Sequence, residues 1–241
     1  MNIIKIKDYD AMSKEACKLM SDRLKSIDKP VLGLATGSTP EGMYKCLINE
    51  YEQKNISFKN VTTFNLDEYI GLAADHPNSY NYFMRENLFK HIDISLENTH
   101  LPNGVAGDIN KECNDYEQLI KKAGGIDVQI LGIGTNGHIA FNEPGTDFNG
   151  RTAIVDLAQE TLDANARFFD TIEEVPTQAI TMGIQSIMEA DEIIMLVSGA
   201  NKAEALAQVL NGEVTEDFPA SILQKHNKVT IIADEAALSK V

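Results

Sequence analysis

The sequence predicts an α/β fold: a doubly wound, mostly parallel sheet with helices on both faces, Rossmann-like in layout, forming a single domain with a lid segment. Two observations predict it. Short apolar runs alternate with longer amphipathic stretches along the 241 residues, and such alternation implies parallel strands buried on both faces. No repeat, low-complexity stretch or Gly/Ser- or Pro-rich linker divides the chain. With 43% hydrophobic and 24% charged residues, it has the composition of an ordinary globular protein large enough to bury its own core.

In chain order, Met12, Ala16, Leu19, Met20, Leu24 and Ile27 recur at helical spacing, and Val31–Thr36 then reads as the first buried strand. Pro40 to Tyr51 reads as a helix, Val61–Leu66 as a strand, and Ser79 to Phe89 and Asn110 to Lys122 as further helices. Val128–Ile133 and Ile193–Ser198 are strands, Lys202 to Leu210 a helix, and Val229–Ala233 the last strand. Residues 145–178 break this rhythm: they are polar, contain Gly150 and Pro176, and offer no clear core strand. A long excursion of this kind reads either as a lid over a binding site or as a surface insertion with its own helix.

The bulk properties exclude several classes. A net charge of −15 opposes nucleic-acid binding, which needs a basic surface. It also means that any phosphate site must be made locally, by a few cations and backbone N–H groups. MNIIKIKDYD has no signal-peptide core, and the longest apolar run, Ile193 to Val197, is too short for a membrane span. Cys17, Cys46 and Cys113 are scattered, which argues for a reducing compartment rather than a disulfide framework. A cytoplasmic protein is expected.

Ligands of doubly wound folds bind beyond the carboxyl ends of the strands, and four of the five predicted strands end in residues suited to binding or catalysis. The first runs into Thr36-Gly37-Ser38-Thr39-Pro40. Pro40 suits the first helical position and Thr39 or Ser38 the N-cap. Gly37 permits close backbone approach, and the N–H groups at a helix start attract an anion; a plain capped turn explains the same residues. The second ends in Asp67-Glu68-Tyr69, a carboxylate pair that could contain a general base or could simply cap a helix.

The third leads into LGIGTNGHIAFNEPG. Its G-x-G-x-x-G, with Asp156 downstream, imitates a dinucleotide fingerprint. Asn142, Pro144 and Gly145 cut short the long helix that such a site needs. His138 with Asn136 and Glu143 fits a catalytic set better, because imidazole titrates near neutral pH and a carboxylate can hold its tautomer. A structural histidine is the alternative. The fourth strand ends in Ser198-Gly199-Ala200-Asn201-Lys202, where Lys202 could meet a phosphate as a point charge or be an ordinary surface lysine.

Taken together, LATGSTPEGMY, TTFNLDEYIGL, HPNSYNYFM, LGIGTNGHIAFNEPG, NARFFD and SGANKAEAL closely resemble the glucosamine-6-phosphate deaminase/isomerase family over nearly the whole chain. The resemblance implies isomerisation and deamination of a small-molecule substrate, glucosamine 6-phosphate, to fructose 6-phosphate and ammonia, without metal or other cofactor. It gives Asp67 the role of C2 base and His138 that of the acid/base of ring opening, supported by Asn136 and Glu143. It makes Ser38, Thr39, Arg167 and Lys202 phosphate contacts, beside the Thr36-Gly37 turn, with Arg167 inside the lid at about 145–178.

Two departures from the family pattern stand out. Allosteric members carry aspartate where this chain has Asn136, so a simpler pH dependence of ring opening is expected. They also carry basic effector-site residues where Ala153 and Val155 fall, and a longer C-terminal tail, so no activation by N-acetylglucosamine 6-phosphate and a monomer or small homo-oligomer are expected. The nearest rival is 6-phosphogluconolactonase, which resembles this chain less at Asp67-Glu68-Tyr69 and Phe141-Asn142-Glu143-Pro144. A sugar-phosphate sensor or a metalloenzyme built on Asp67, His138 and Glu143 are the rivals of other classes.

Overall fold

The computed structural model describes residues 1–166, 169, 171 and 174–241. The chain opens with strand β1 (Asn2–Ile6), helix α1 (Tyr9–Ser26), β2 (Val31–Leu34), α2 (Ser38–Glu52) and β3 (Thr62–Asn65). There follow β4 (Asp67–Tyr69), α3 (Tyr80–Asn87), β5 (Thr99–His100), α4 (Ile109–Ala123) and β6 (Val128–Leu131). After a long connection come β7 (Ala153–Asp156), α5 (Gln159–Ala166), β8 (Gln178–Thr181), α6 (Ile184–Met188), β9 (Glu192–Val197), α7 (Ala203–Asn211) and β10 (Val229–Asp234).

Seven strands form one sheet in the order β1-β10-β9-β6-β2-β3-β5, and every pairing within it is parallel. The order reverses at β2 and β6, so right-handed crossovers leave in opposite directions and open a crevice at that junction. β6 and β9 are buried at every position, which is why they read as mostly apolar runs, Gln129 and Glu192 apart. Helices α1 and α2 pack on each other and against β9. Glu192, buried at the start of β9, is matched by Arg23 of α1 at 2.6 Å and by Lys228 at 2.8 Å.

A second, three-stranded sheet has the order β4-β8-β7 and is antiparallel. Leu66 joins the two sheets: its N–H donates to Leu34 of β2 and its carbonyl accepts from Met182 just after β8. A small apolar cluster of Tyr69, Phe141, Leu157 and Ala179 lies with this sheet, apart from the main core.

The five predicted core strands are present: β2, β3 and β6 have trimmed ends, β9 starts and ends one residue earlier than expected, and β10 runs one residue further, to Asp234. Strands β1, β5, β7, β8 and the short β4 were not predicted; the last three are short, and β7 is half exposed, so they lack the apolar run that marks a core strand. The excursion at 145–178 accordingly holds a strand and a helix of its own. Helix α2 begins two residues before the expected Pro40: Gly37, at φ 91°, is the N-cap and Ser38 the first helical residue. Proline is tolerated there because the first-turn N–H groups have no helical partner anyway.

Candidate active site

The crevice at the β2–β6 junction contains an inner cavity of about 190 Å³, lined by Thr36, Thr39, Asp67, Tyr80, Gly134 and His138 among others. It shares Thr39, Tyr80 and His138 with an outer cleft of about 700 Å³, which also carries Gly37, Ser38, Phe169 and Lys202. Seven of the residues singled out in the sequence, from four separate segments, therefore face one space: Thr36, Gly37, Ser38, Thr39, Asp67, His138 and Lys202. Asn136 and Glu143 stand behind His138. Arg167 lies outside the described residues.

Gly37 makes no side-chain cap to α2, so the first N–H groups of a 15-residue helix meet the cleft rather than a capping oxygen. The Tyr44 hydroxyl, buried in α2, braces the turn by donating to the Ala35 carbonyl at 2.5 Å. On the β9 side, the Asp234 carboxylate accepts from Ser198 Oγ at 2.5 Å and from the Gly199 N–H at 3.0 Å. That anchor fixes the turn on which Lys202 sits.

The two adjacent carboxylates separate cleanly. Alternation along β4 turns them to opposite sides. Glu68 accepts the N–H groups of Tyr69, Tyr80 and Asn81, each at 2.9 Å, and so fastens the start of α3. Burial pushes its carboxyl up to about 6, with those three N–H bonds pulling the other way. Asp67 lines the inner cavity, and among the described residues no hydrogen bond reaches its carboxylate. Burial, and then the charge of Glu68, push it up to about 8. A carboxyl group that titrates near neutral pH can both take and return a proton.

His138 sits in a loop without helix, held by Gly134 N–H to the His138 carbonyl at 2.9 Å and by Ala220 N–H to the Gly137 carbonyl at 2.9 Å. The dinucleotide-like glycines thus have another purpose. A Cβ at Gly134 would fall 2.2 Å from the His138 ring, and one at Gly137 2.3 Å from the Phe218 ring. After these glycines the next helix starts only at Gln159, and Asp156 merely accepts from Gln178 across the small sheet at 2.8 Å.

Asn136 Oδ1 lies 2.8 Å from His138 Nδ1 and accepts the His138 backbone N–H at 3.2 Å, while Asn136 Nδ2 donates to Glu143 Oε2 at 2.8 Å. This fixes the amide: nitrogen toward the carboxylate, oxygen toward the ring. The ring must then donate from Nδ1, which leaves Nε2 with its lone pair available. The sequence set both Asn136 and Glu143 beside the histidine; of the two, Asn136 is the nearer partner, with Glu143 3.5 Å from Nδ1. Burial raises the Glu143 carboxyl, but its contacts with His138, Asn136 and Thr161 outweigh this and hold it below its usual range.

Several contributors escape sequence reasoning. Tyr80 lines both cavities and its hydroxyl donates to that of Tyr69 at 3.1 Å. Thr181 Oγ1 accepts the Phe141 N–H, and buried Asn142 donates to the carbonyls of Ile139 and Met182, tying the histidine loop to β8. Thr161 of α5 donates to Glu143 at 3.0 Å. The HPNSYNYFM segment contains Tyr80, but nothing in its composition separates a cavity wall from core. His226 bonds the Ala190 carbonyl at 2.7 Å and accepts the Lys228 N–H; its role is structural. Among the described residues, no group of three His, Cys, Asp or Glu side chains is placed to hold a metal ion, and no helix is long and apolar enough to cross a membrane.

A family model described as glucosamine-6-phosphate isomerases/6-phosphogluconolactonase matches residues 7–232. The glucosamine-6-phosphate deaminase of Oceanobacillus iheyensis is 59% identical over 241 residues, covering 100% of this chain and 96% of the relative. That of Clostridium novyi is 54% identical, with 100% of both covered. Among solved structures, a monomeric glucosamine-6-phosphate deaminase superposes with a TM-score of 0.97 at 48% identity over 100% of both chains. The 6-phosphogluconolactonase of Trypanosoma cruzi, at 20% identity and a TM-score of 0.81 over 100% of this chain and 96% of that one, shares the fold. The chain therefore belongs to the family of glucosamine-6-phosphate isomerases and 6-phosphogluconolactonases, and within it stands with the glucosamine-6-phosphate deaminases.

Proposed function

We propose that this chain converts glucosamine 6-phosphate and water to fructose 6-phosphate and ammonia. The observation that carries the reading is Asp67, a buried carboxyl titrating near 8 in the same cavity as His138. The α2 turn and Lys202 would hold the phosphate, far from the reacting carbons, and that binding energy would set C2 against Asp67.

The closed sugar has no acidic C2 proton, so the ring must open first. Ring opening moves a proton from the C1 hydroxyl to the ring oxygen, and His138 Nε2, with Nδ1 committed to Asn136, is the group suited to carry it. With C1 now a carbonyl, Asp67 takes the C2 proton to give an enolamine and returns a proton to C1. The resulting C2 imine adds water and expels ammonia. No electrons leave the substrate, so the chemistry calls for no redox cofactor, and the proton transfers are within reach of these side chains. Arg167 and the segment at 145–178 would close over the phosphate as a lid.

The chain would act as a monomer in the cytoplasm, without activation by N-acetylglucosamine 6-phosphate, because Ala153 and Val155 of β7 offer no charge to a phosphorylated effector. Incubation with glucosamine 6-phosphate in EDTA should release ammonia with hyperbolic kinetics. Failure to release ammonia, together with hydrolysis of 6-phosphogluconolactone, would transfer the chain to the lactonase reaction. Sigmoidal kinetics relieved by the acetylated sugar phosphate would overturn the expectation of no effector.

A further inference from the structure

The first turn of α2 contains a side chain from another helix. Tyr9 is the first residue of α1, whose start is fixed by Asp8 accepting the Ala11 N–H at 2.9 Å. The Tyr9 hydroxyl donates to the Ser38 carbonyl at 2.8 Å and accepts the Gly42 N–H at 2.9 Å. Those two groups stand in the i and i+4 positions that an α-helix joins directly. The hydroxyl therefore bridges the second rung of the helical ladder, the one after that of the Gly37 N-cap.

Two further features accommodate this bridge. Gly42 lets α1 approach α2: a Cβ there would lie 2.2 Å from Ser13 Oγ and 3.1 Å from Tyr9 Cε1. Pro40 has no N–H, so the donors at the helix start are those of Ser38 and Thr39. The Ser38 carbonyl and the Thr39 N–H belong to one planar peptide unit and point in opposite directions. Anchoring the carbonyl on the α1 side consequently aims the Thr39 N–H away from α1, and Thr39 lines both cavities of the cleft.

We propose that Tyr9 is a positioning residue for the anion-binding turn: by bridging Ser38 and Gly42 it sets the direction of the Thr39 N–H that receives the substrate's phosphate. The inference rests on the reading of this turn as the phosphate site. Without the hydroxyl, the Gly42 N–H and the Ser38 carbonyl would close on each other, the peptide would rotate, and the phosphate would lose an aligned donor. Chemistry at C1 and C2, on the far side of the cleft, would be left intact.

Tyr9→Phe keeps the ring and removes only the bridge. Calorimetric titration with inorganic phosphate, alongside steady-state ammonia release, should show phosphate affinity and KM for glucosamine 6-phosphate each weakened about fivefold, the scale of one hydrogen bond. kcat should stay within about twofold. A phosphate affinity matching wild type would overturn the assignment, as would a loss confined to kcat and melting temperature, which marks a merely structural tyrosine. If wild type bound phosphate but released no ammonia, the deaminase reading would fall, while the titration would still decide the role of Tyr9.

Discussion

The turns after β2, β6 and β9 belong to the seven-stranded sheet, whereas Asp67 belongs to the three-stranded one. The large sheet presents its functional groups on backbone that is already satisfied: Tyr44 holds Ala35, Asp234 holds Gly199, and Gly134 holds the loop of His138. The small sheet does the reverse, burying a carboxylate to which no hydrogen bond comes among the described residues. Even its neighbour Glu68, on the same short strand, has three N–H partners. The difference teaches where this protein gives up stability. Binding groups can be fixed at no cost to the fold, but a base matched to neutral pH must stay underhydrogen-bonded and dry.

The comparison breaks most severely at Asp67. Asp67→Asn should lower ammonia release by about 10³-fold, the middle of the range for a general base, in the assay used for wild type. It should also raise the melting temperature at alkaline pH. The folded-state carboxyl is raised to about 8 from an ordinary 3.8, so the folded state binds the extra proton and stability declines as pH rises through that window. Wild-type kcat/KM should increase with pH toward 8 as the base ionises, and the asparagine variant should lose the stability decline.

Next in size is Gly134→Ala. The new methyl would overlap the His138 ring, and about 100-fold of activity should go with the displaced acid/base, measured with phosphate affinity retained. Asn136→Asp should cost less, about tenfold. It places a second carboxylate 2.8 Å from Glu143, two like charges that must share a proton, so an additional ionisation should enter the pH–rate profile. A profile identical to wild type would remove Asn136 from the account of ring opening. The smallest effect belongs to Glu68→Gln. An amide cannot accept all three N–H groups, so stability should fall by about 1–2 kcal/mol in denaturant titration, and removing the neighbouring charge should move the Asp67 limb to lower pH.

The five inner strands of the large sheet were legible because they lie in mostly apolar runs, and glycine follows closely on Val31–Leu34, Val128–Leu131 and Glu192–Val197; its edge strands β1 and β5 carry no such run. The small sheet was not legible, since Asp67–Tyr69 is three residues long and Ala153–Asp156 is exposed at both ends and only half-buried between. The Asp67-Glu68 pair was visible as chemistry, yet which member faces the cavity depends on the turn at Leu66, and no residue type announces that turn. In the same way Asn136, His138 and Glu143 were recognisable as a set, but the order of contact was decided by an amide lying between ring and carboxylate. Tyr9 was invisible because its partner, the first turn of α2, lies 29 residues away.

The central claim, that the buried carboxylate of the small sheet takes the C2 proton while the turns of the large sheet only bind, is tested most directly in D₂O. Fructose 6-phosphate made by wild type should carry solvent deuterium at C1, read by NMR. Asp67→Asn should form no labelled product yet bind inorganic phosphate within about twofold of wild type. Labelled product at near wild-type rate from Asp67→Asn would contradict the account and assign the proton transfer to another group.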